Sequence, residues 1–251
     1  MDTRNSAVLR WVTLLTVLAN IAFNYFYVKL TGNDTMGEVS ARYPSLFTPA
    51  GYAFSIWGLI YVSFIIYCIA QLQKTALDKK IYNQLSLSLL FANVLASVWI
   101  WCFTSERLLI SIIVMFLILA LSLEMFIISC KAAKQRKHSW WIQFPFSLLC
   151  GWLSVAFLAN LSVVIASQQG KENIPLTFTF LAIAALTAIY VGFRTSNPVY
   201  PSVTAWASLA IWVARKDTNP VIGNAAVAVA IIAGLVVLTA IVRLSAKRKL
   251  S

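Results

Sequence analysis

Acidic residues and histidine are scarce in this chain of 251 residues. It contains eight Asp and Glu residues in total and a single histidine, His138. One histidine allows no histidine–carboxylate arrangement inside an apolar segment, and the sequence shows no nucleophile–base pair, metal cluster or phosphate loop. Haem ligation through a membrane histidine is excluded for the same reason. We therefore expect no enzyme activity and no cofactor, and interpret His138, which lies among lysines, as a solvated loop residue.

Cysteine is also rare, and its spacing indicates neither disulfides nor zinc. The four cysteines lie in or at the ends of apolar stretches, without a CxxC motif: Cys68, Cys102, Cys130 and Cys150. We interpret them as small apolar side chains that fill space between helices.

Long apolar runs are abundant. Hydrophobic residues make up 60% of the chain, charged residues 11%, and the mean hydropathy is +0.80. A helix needs roughly 20 such residues to cross a bilayer, and these runs lack the alternation of barrel strands. The sequence predicts an all-α, polytopic membrane helix bundle with about eight transmembrane helices, near residues 8–30, 52–72, 82–104, 108–130, 141–167, 175–193, 199–214 and 220–243. The seventh is short and carries three hydroxyl side chains.

The cations support this count. With the N-terminus inside, fourteen of the 20 Lys and Arg residues fall on the inner side, as cytoplasmic loops require. This predicts N and C termini inside and a multi-pass protein of the cell membrane, in which the first apolar run stays as a span and is not a cleaved signal. We interpret the net charge of +12 as topology and contact with membrane lipids, and expect no nucleic-acid partner.

One loop is long. Residues 31–51 are polar at first, and then combine aromatic residues with Pro44 and Pro49. Such a segment should lie against the bundle rather than extend into water. It is either a packed connector or a lid over the mouth of a pocket.

Polar residues inside the spans share helix faces at a spacing of four. The sets are Asn20 with Asn24, Asn93 with Ser97 and Trp101, and Trp152 with Ala156 and Asn160. These faces turn away from lipid, where amides either bond between helices or line a cavity. Trp57 and Tyr61 stack on one face of the second span, as a planar, lipophilic ligand would need.

Glu124 is the one acid placed within a predicted span. It is either a functional carboxylate or a side chain that reaches the cations at 131–137. Ala226, Ala230 and Gly234 form a small-residue ladder in the last span, suited to close contact within the bundle or with a second copy in a homodimer.

Two segments resemble a known family. Residues 47–61 (FTPAGYAFSIWGLIY) and 144–160 (FPFSLLCGWLSVAFLAN) are similar to the tryptophan-rich sensory proteins of the TspO/MBR family. In that family a proline-rich loop leads into a P-x-x-W-type motif, here Pro49 through Trp57, and a later helix ends in a small residue and Asn, here Ala159-Asn160. The resemblance covers residues 8–167 and implies a five-helix bundle. It also implies a pocket under the loop between the first two helices that binds porphyrins and other flat hydrophobic molecules.

The departures from the family pattern are Ala50, where a second proline is usual, and three further spans. We therefore expect a TspO-like unit at 1–167 and a three-helix extension at 168–251. The expected function is the binding, and possible sensing or translocation, of a lipophilic small molecule such as a tetrapyrrole. The alternative is a proton-coupled transporter of a small solute that uses Glu124. The predicted ligand-binding residues are Asn24, Pro49, Trp57, Tyr61, Asn93, Trp101, Trp152 and Asn160.

Overall fold

The part of the protein that the structure describes is built almost entirely from helices. The computed structural model describes residues 3–73, 79–135 and 140–249, and no β-strand occurs in these ranges. The helices are α1 (Thr3–Thr31), α2 (Met36–Arg42), α3 (Ile56–Leu72), α4 (Lys79–Thr104), α5 (Leu108–Gln135), α6 (Trp140–Gln169), α7 (Ile174–Thr195), α8 (Val199–Arg215) and α9 (Pro220–Lys249). A short 3₁₀ helix, Gly51–Ser55, leads directly into α3. His138 lies outside the described residues.

Seven of these helices are long and apolar enough to cross a membrane. Each of the eight predicted spans coincides with a helix. The seventh is α8, which has 17 residues and a length of about 26 Å at 1.5 Å per residue. Because this is less than the roughly 30 Å of a hydrocarbon core, α8 is not among the seven. The all-α membrane fold is thus confirmed, and the count of eight spans is not.

Side-chain caps define where several helices begin. Oγ1 of Thr35 accepts a hydrogen bond from the N–H of Glu38 at 3.2 Å, and Oε2 of Glu38 accepts one from the N–H of Thr35 at 2.7 Å. This reciprocal pair is a capping box at the start of α2. Asn173 accepts a bond from the N–H of Leu176 at 2.9 Å to start α7. Pro220 is the first residue of α9, where a missing N–H leaves no bond unmade.

The helices fall into two compact units. Unit 1 comprises Met1–Val39 and Ile56–Cys150, and unit 2 comprises Ser40–Ser55 and Gly151–Ser251. Residues 167 and 168 both lie in unit 2, and the division into a TspO-like unit at 1–167 and an extension at 168–251 stays a prediction. The later half of the long loop also belongs to unit 2, together with α7, α8 and α9.

In unit 1, α1 packs against α3 and α4, and α4 packs against α5. Thr13 donates to the carbonyl oxygen of Ser86 at 3.2 Å, and Asn20 donates to Asn93 at 3.1 Å. Both pairs are 73 residues apart, so α1 and α4 run parallel in a fixed register. Between α3 and α6, the ring centroids of Tyr67 and Phe146 lie 5.0 Å apart in an edge-on contact.

In unit 2, α9 packs against α7 and α8. Ala226 and Ala230 of the small-residue ladder are buried there, so they contribute to packing within the unit. Gly234, the third member, has open space where a side chain would be. Formation of a homodimer stays a prediction.

Candidate functional site

A small cavity lies within unit 1, between α1, α3, α4, α5 and the first part of α6. Its volume is about 20 Å³. On the same scale, one water molecule needs roughly 10–15 Å³. The residues around it are uncharged: Asn20, Trp57, Ile60, Tyr61, Phe64, Leu89, Ala92, Asn93, Ala96, Ile118 and Leu149. The site is therefore an apolar space with a few neutral polar groups.

The polar side of the cavity is a connected amide network. Nδ2 of Asn20 donates to Oδ1 of Asn93 at 3.1 Å, and Ser97 donates to Oδ1 of Asn20 at 3.0 Å. Nδ2 of Asn93 donates to the carbonyl oxygen of Leu89 at 2.8 Å. Asn20 is 4% exposed and Asn93 is 8% exposed. Because each amide is held by neighbours, their orientations are fixed before any ligand arrives.

The aromatic side of the cavity belongs to α3. Trp57 and Tyr61 are four residues apart on one helix face, and their rings stack with centroids 5.5 Å apart and planes 26° apart. Asn24 of α1 donates a hydrogen bond to the Tyr61 hydroxyl. Both rings are partly exposed. The two rings form one flat side of the cavity, and the Tyr61 hydroxyl connects this side to α1 through Asn24.

Four of the predicted ligand-binding residues meet here. Trp57, Tyr61 and Asn93 line the cavity, and Asn24 is bonded to Tyr61. Asn20 also lines the cavity, although it was not among the predicted residues. Its spacing of four from Asn24 was the signal that placed it on the same face.

Trp101, the fifth predicted residue of unit 1, has a different environment. It is 40% exposed, and the guanidinium of Arg107 lies 4.5 Å from its ring centroid. A cation over an indole face at a helix end is typical of an interfacial tryptophan. Trp101 is absent from the residues that line the cavity.

Comparison with known proteins shows which family the chain belongs to. The sequence matches the family described as TSPO-like protein over residues 10–239. The chain belongs to the TSPO-like family. It is therefore a multi-pass membrane protein of this type, and the match extends well beyond the 8–167 segment in which the resemblance was recognised. No curated protein and no solved structure matches the chain.

The remaining predicted residues of this TSPO-like protein lie in unit 2. Pro49 is buried, as are Asn160 at 3% exposure and Trp152 at 2%. The Trp152 ring makes an edge-on contact with Phe54, with centroids 5.9 Å apart. A role for these three residues in ligand binding stays a prediction.

The later half of the long loop is packed into unit 2. Residues 45–49 are buried, and Ser45 donates to the hydroxyl of Ser162 at 2.8 Å. The N–H of Ala50 donates to the carbonyl oxygen of Ala210 at 3.0 Å. The loop therefore has the geometry of a packed connector, the first of the two alternatives.

The side chain of Arg215, at the end of α8, forms hydrogen bonds with the backbone of this loop. Its Nη2 donates to the carbonyl oxygen of Ser45 at 2.7 Å, and its Nε donates to that of Leu46 at 3.2 Å. Burial lowers the pKa of the Arg215 guanidinium from its usual value, and the negative charge of Glu172 acts in the opposite direction. Arginine stays charged despite such shifts, so both bonds are charge-assisted.

Glu124 lies on the exposed side of α5. Ser88 of α4 donates a hydrogen bond to its Oε2 at 2.9 Å. Glu124 is absent from the residues around the cavity. Within the described ranges, no group of three or more His, Cys, Asp or Glu residues could hold a metal ion, and the four cysteines are buried and form no disulfide.

Proposed function

We propose that this TSPO-like membrane protein binds a lipophilic, planar small molecule, such as a tetrapyrrole, at the cavity of unit 1. The observation that carries the proposal is the stacked pair of Trp57 and Tyr61 beside the amides of Asn20 and Asn93. Flat rings supply contact area to a flat ligand, while a few fixed polar groups set its orientation. The resemblance of residues 47–61 to the TspO/MBR proteins points to the same ligand class.

The chemistry of the lining limits how such a ligand is held. None of the residues around the cavity is charged. An anionic substituent placed there would be desolvated without a partner, at a cost of several kcal/mol. A tetrapyrrole would therefore place its ring system against Trp57 and Tyr61, with any carboxylates directed away from the cavity. Shape and stacking, rather than ligation of a metal, would hold it.

The size of the cavity requires it to expand. A volume of about 20 Å³ admits a water molecule, whereas ligand pockets typically measure 300–1,000 Å³. The amides of Asn20 and Asn93 are fixed by hydrogen bonds, and the rings of Trp57 and Tyr61 are partly exposed. The aromatic wall is therefore the side that would move. Loss of the bond between Asn24 and Tyr61 would accompany entry of a large ligand.

We place this binding function in the cell membrane, where an apolar ligand reaches the site from the lipid phase. Sensing and translocation both begin with this binding step. The amide network at the cavity contains no titratable group that sensing or translocation could use.

Titration with a porphyrin tests the proposal. The purified protein in detergent should shift the absorbance band of the porphyrin in a saturable way. Trp57→Ala should weaken this binding by about 1–3 kcal/mol, or roughly 5- to 150-fold, because a stacking anchor is lost. Trp212→Ala is the matched control, since Trp212 lies on α8 in unit 2, and it should bind as the parent does.

Two results would count against the proposal. Equal porphyrin affinity in the parent and in Trp57→Ala would remove the site. No saturable binding to the folded parent would remove the ligand class.

A further inference from the structure

Two buried polar atoms without partners lie where α1 and α4 begin. Nε of Arg10 and Oδ1 of Asn83 are buried and have no hydrogen-bond partner among the described residues. Leaving a buried donor or acceptor unmatched costs about 1–3 kcal/mol per group. An occupant that supplies both missing bonds would recover that energy.

The register of the two helices places Arg10 and Asn83 at the same level. The pairs Thr13–Ser86 and Asn20–Asn93 fix a constant offset of 73 residues between the parallel helices α1 and α4. The same offset places Asn83 opposite Arg10. Both residues lie one turn before the first bonded pair, Thr13 and Ser86.

Gln71 and Ser86, two polar residues near this place, already have hydrogen-bond partners. Nε2 of Gln71 donates to the backbone carbonyl oxygen of Arg10 at 3.1 Å. Ser86 donates to the carbonyl oxygen of Tyr82 at 2.6 Å and to Oε1 of Gln71 at 3.4 Å. These bonds hold the backbone of Arg10 in place. Neither Nε of Arg10 nor Oδ1 of Asn83 takes part in these bonds, and both stay unmatched among the described residues.

The depth and charge of this place indicate what the occupant is. The apolar spans of α1 and α4 begin at Ala7 and Lys80, so Arg10 and Asn83 are each the fourth residue of a span. That is the level at which headgroups meet hydrocarbon. Lys80 is exposed and lies one turn before Asn83, on the same face of α4, so a second cation lies near this end of the helix.

We propose that Arg10 and Asn83 form a binding site for a lipid headgroup of the phosphatidylglycerol type. A phosphodiester oxygen accepts the hydrogen bond from Nε of Arg10, and a headgroup hydroxyl donates to Oδ1 of Asn83. The single negative charge of this headgroup is attracted to both cations. The site is separate from the cavity of unit 1 and does not depend on the proposed porphyrin ligand.

The test measures lipid binding to delipidated protein by native mass spectrometry and by thermal stabilisation in detergent. Phosphatidylglycerol should bind more tightly than phosphatidylmethanol, which has the same charge without a hydroxyl, and than zwitterionic phosphatidylcholine. Free glycerol phosphate, the soluble source of the same chemistry, should bind far more weakly, because it gains nothing from the apolar surface beside the site.

Variants separate a specific site from general attraction between charges. Arg10→Gln should weaken phosphatidylglycerol binding roughly tenfold through loss of a charge-assisted bond. Arg107→Gln, the matched control, removes the same charge at the other end of α4 and should have little effect. Asn83→Leu should abolish the preference for phosphatidylglycerol over phosphatidylmethanol while keeping or raising stability without lipid, since it removes an unmatched acceptor.

Arg10→Lys keeps the charge but lacks the Nε–H, and it should also lose affinity. It provides the same test if Arg10→Gln does not fold. Equal losses in Arg10→Gln and Arg107→Gln, equal binding of phosphatidylglycerol and phosphatidylcholine, or unchanged discrimination in Asn83→Leu would each overturn the proposal. Tight binding of free glycerol phosphate that depends on Arg10 would assign the site to a soluble phosphate ester instead.

Discussion

Gly192 of α7 lies directly against Val236 of α9. A Cβ atom added to Gly192 would overlap Cγ1 of Val236. The two helices therefore approach each other more closely here than a side chain at position 192 would allow. In lipid, helices associate chiefly through such close packing, because burying apolar surface gains little when the solvent is itself apolar. The absence of a side chain at Gly192 is therefore a main determinant of how α7 and α9 associate in unit 2.

Gly192→Ala should lower the melting temperature of the purified protein. The added methyl group forces α7 and α9 apart or twists Val236 from its rotamer, at a cost of about 1–3 kcal/mol. Gly234→Ala is the matched control on α9, since a Cβ there meets nothing within 4 Å, and it should keep or raise stability because Ala is the better helix former. Combining Gly192→Ala with Val236→Ala should recover part of the loss. Equal melting temperatures for Gly192→Ala and the parent would contradict the close approach.

The helices could be predicted from the sequence because each span needs its own run of apolar residues. The close contacts between them could not. Ala226, Ala230 and Gly234 show equal small-residue spacing, yet two are buried in unit 2 and Gly234 faces open space. Gly192 is not part of such a spacing pattern. Its close contact is with Val236, which is distant in sequence. The spacing identified a face without identifying its partner.

The cavity could be predicted in part for the same reason. The spacing of four placed Trp57 with Tyr61 and Asn20 with Asn24, because residues on one helix face depend on local geometry alone. The pairing of Asn24 with Tyr61 depends on how α1 packs against α3, which the sequence does not state. Residues 40–55 belong to unit 2 through contacts such as those of Arg215, which lies about 170 positions further along the chain.

Arg215→Met should loosen the loop that Arg215 holds. The carbonyl oxygens of Ser45 and Leu46 would lose their charged donors, each worth about 1.5–3 kcal/mol. Hydrogen–deuterium exchange should therefore rise at residues 44–50. Lys216→Met, which removes a neighbouring exposed charge, is the control and should leave exchange in this segment as in the parent. Unchanged exchange in Arg215→Met would mean that other contacts suffice to hold the loop.

Glu124→Gln separates binding from proton-coupled transport. The amide keeps the shape of the side chain and its bond to Ser88 but cannot titrate. Glu124 is not one of the residues around the cavity, so porphyrin affinity should be the same in the variant and the parent. Uptake into proteoliposomes that requires a pH gradient, and that disappears in Glu124→Gln, would instead support the transporter.

The orientation in the membrane has its own test. Fourteen of the 20 cations fall on the side predicted to be inner, so single cysteines at Lys134 and Ser245 should resist an impermeant thiol reagent added outside intact cells. A cysteine at Asn33 should react. The parent serves as the control, because its own cysteines are buried. Reaction at Ser245→Cys from outside would indicate an odd number of spans, such as the seven that exclude α8.

The most direct test of the central claim is to identify what co-purifies with the protein. Lipid-soluble molecules extracted from the purified parent should include a planar, light-absorbing compound, detected by absorbance and mass spectrometry. Ala96→Leu fills the cavity and should abolish its retention, whereas Val94→Leu on the exposed face of α4 should retain it. Equal amounts of this compound in the parent and in a folded Ala96→Leu variant, or only bilayer lipids in the parent, would contradict ligand binding at the cavity of unit 1.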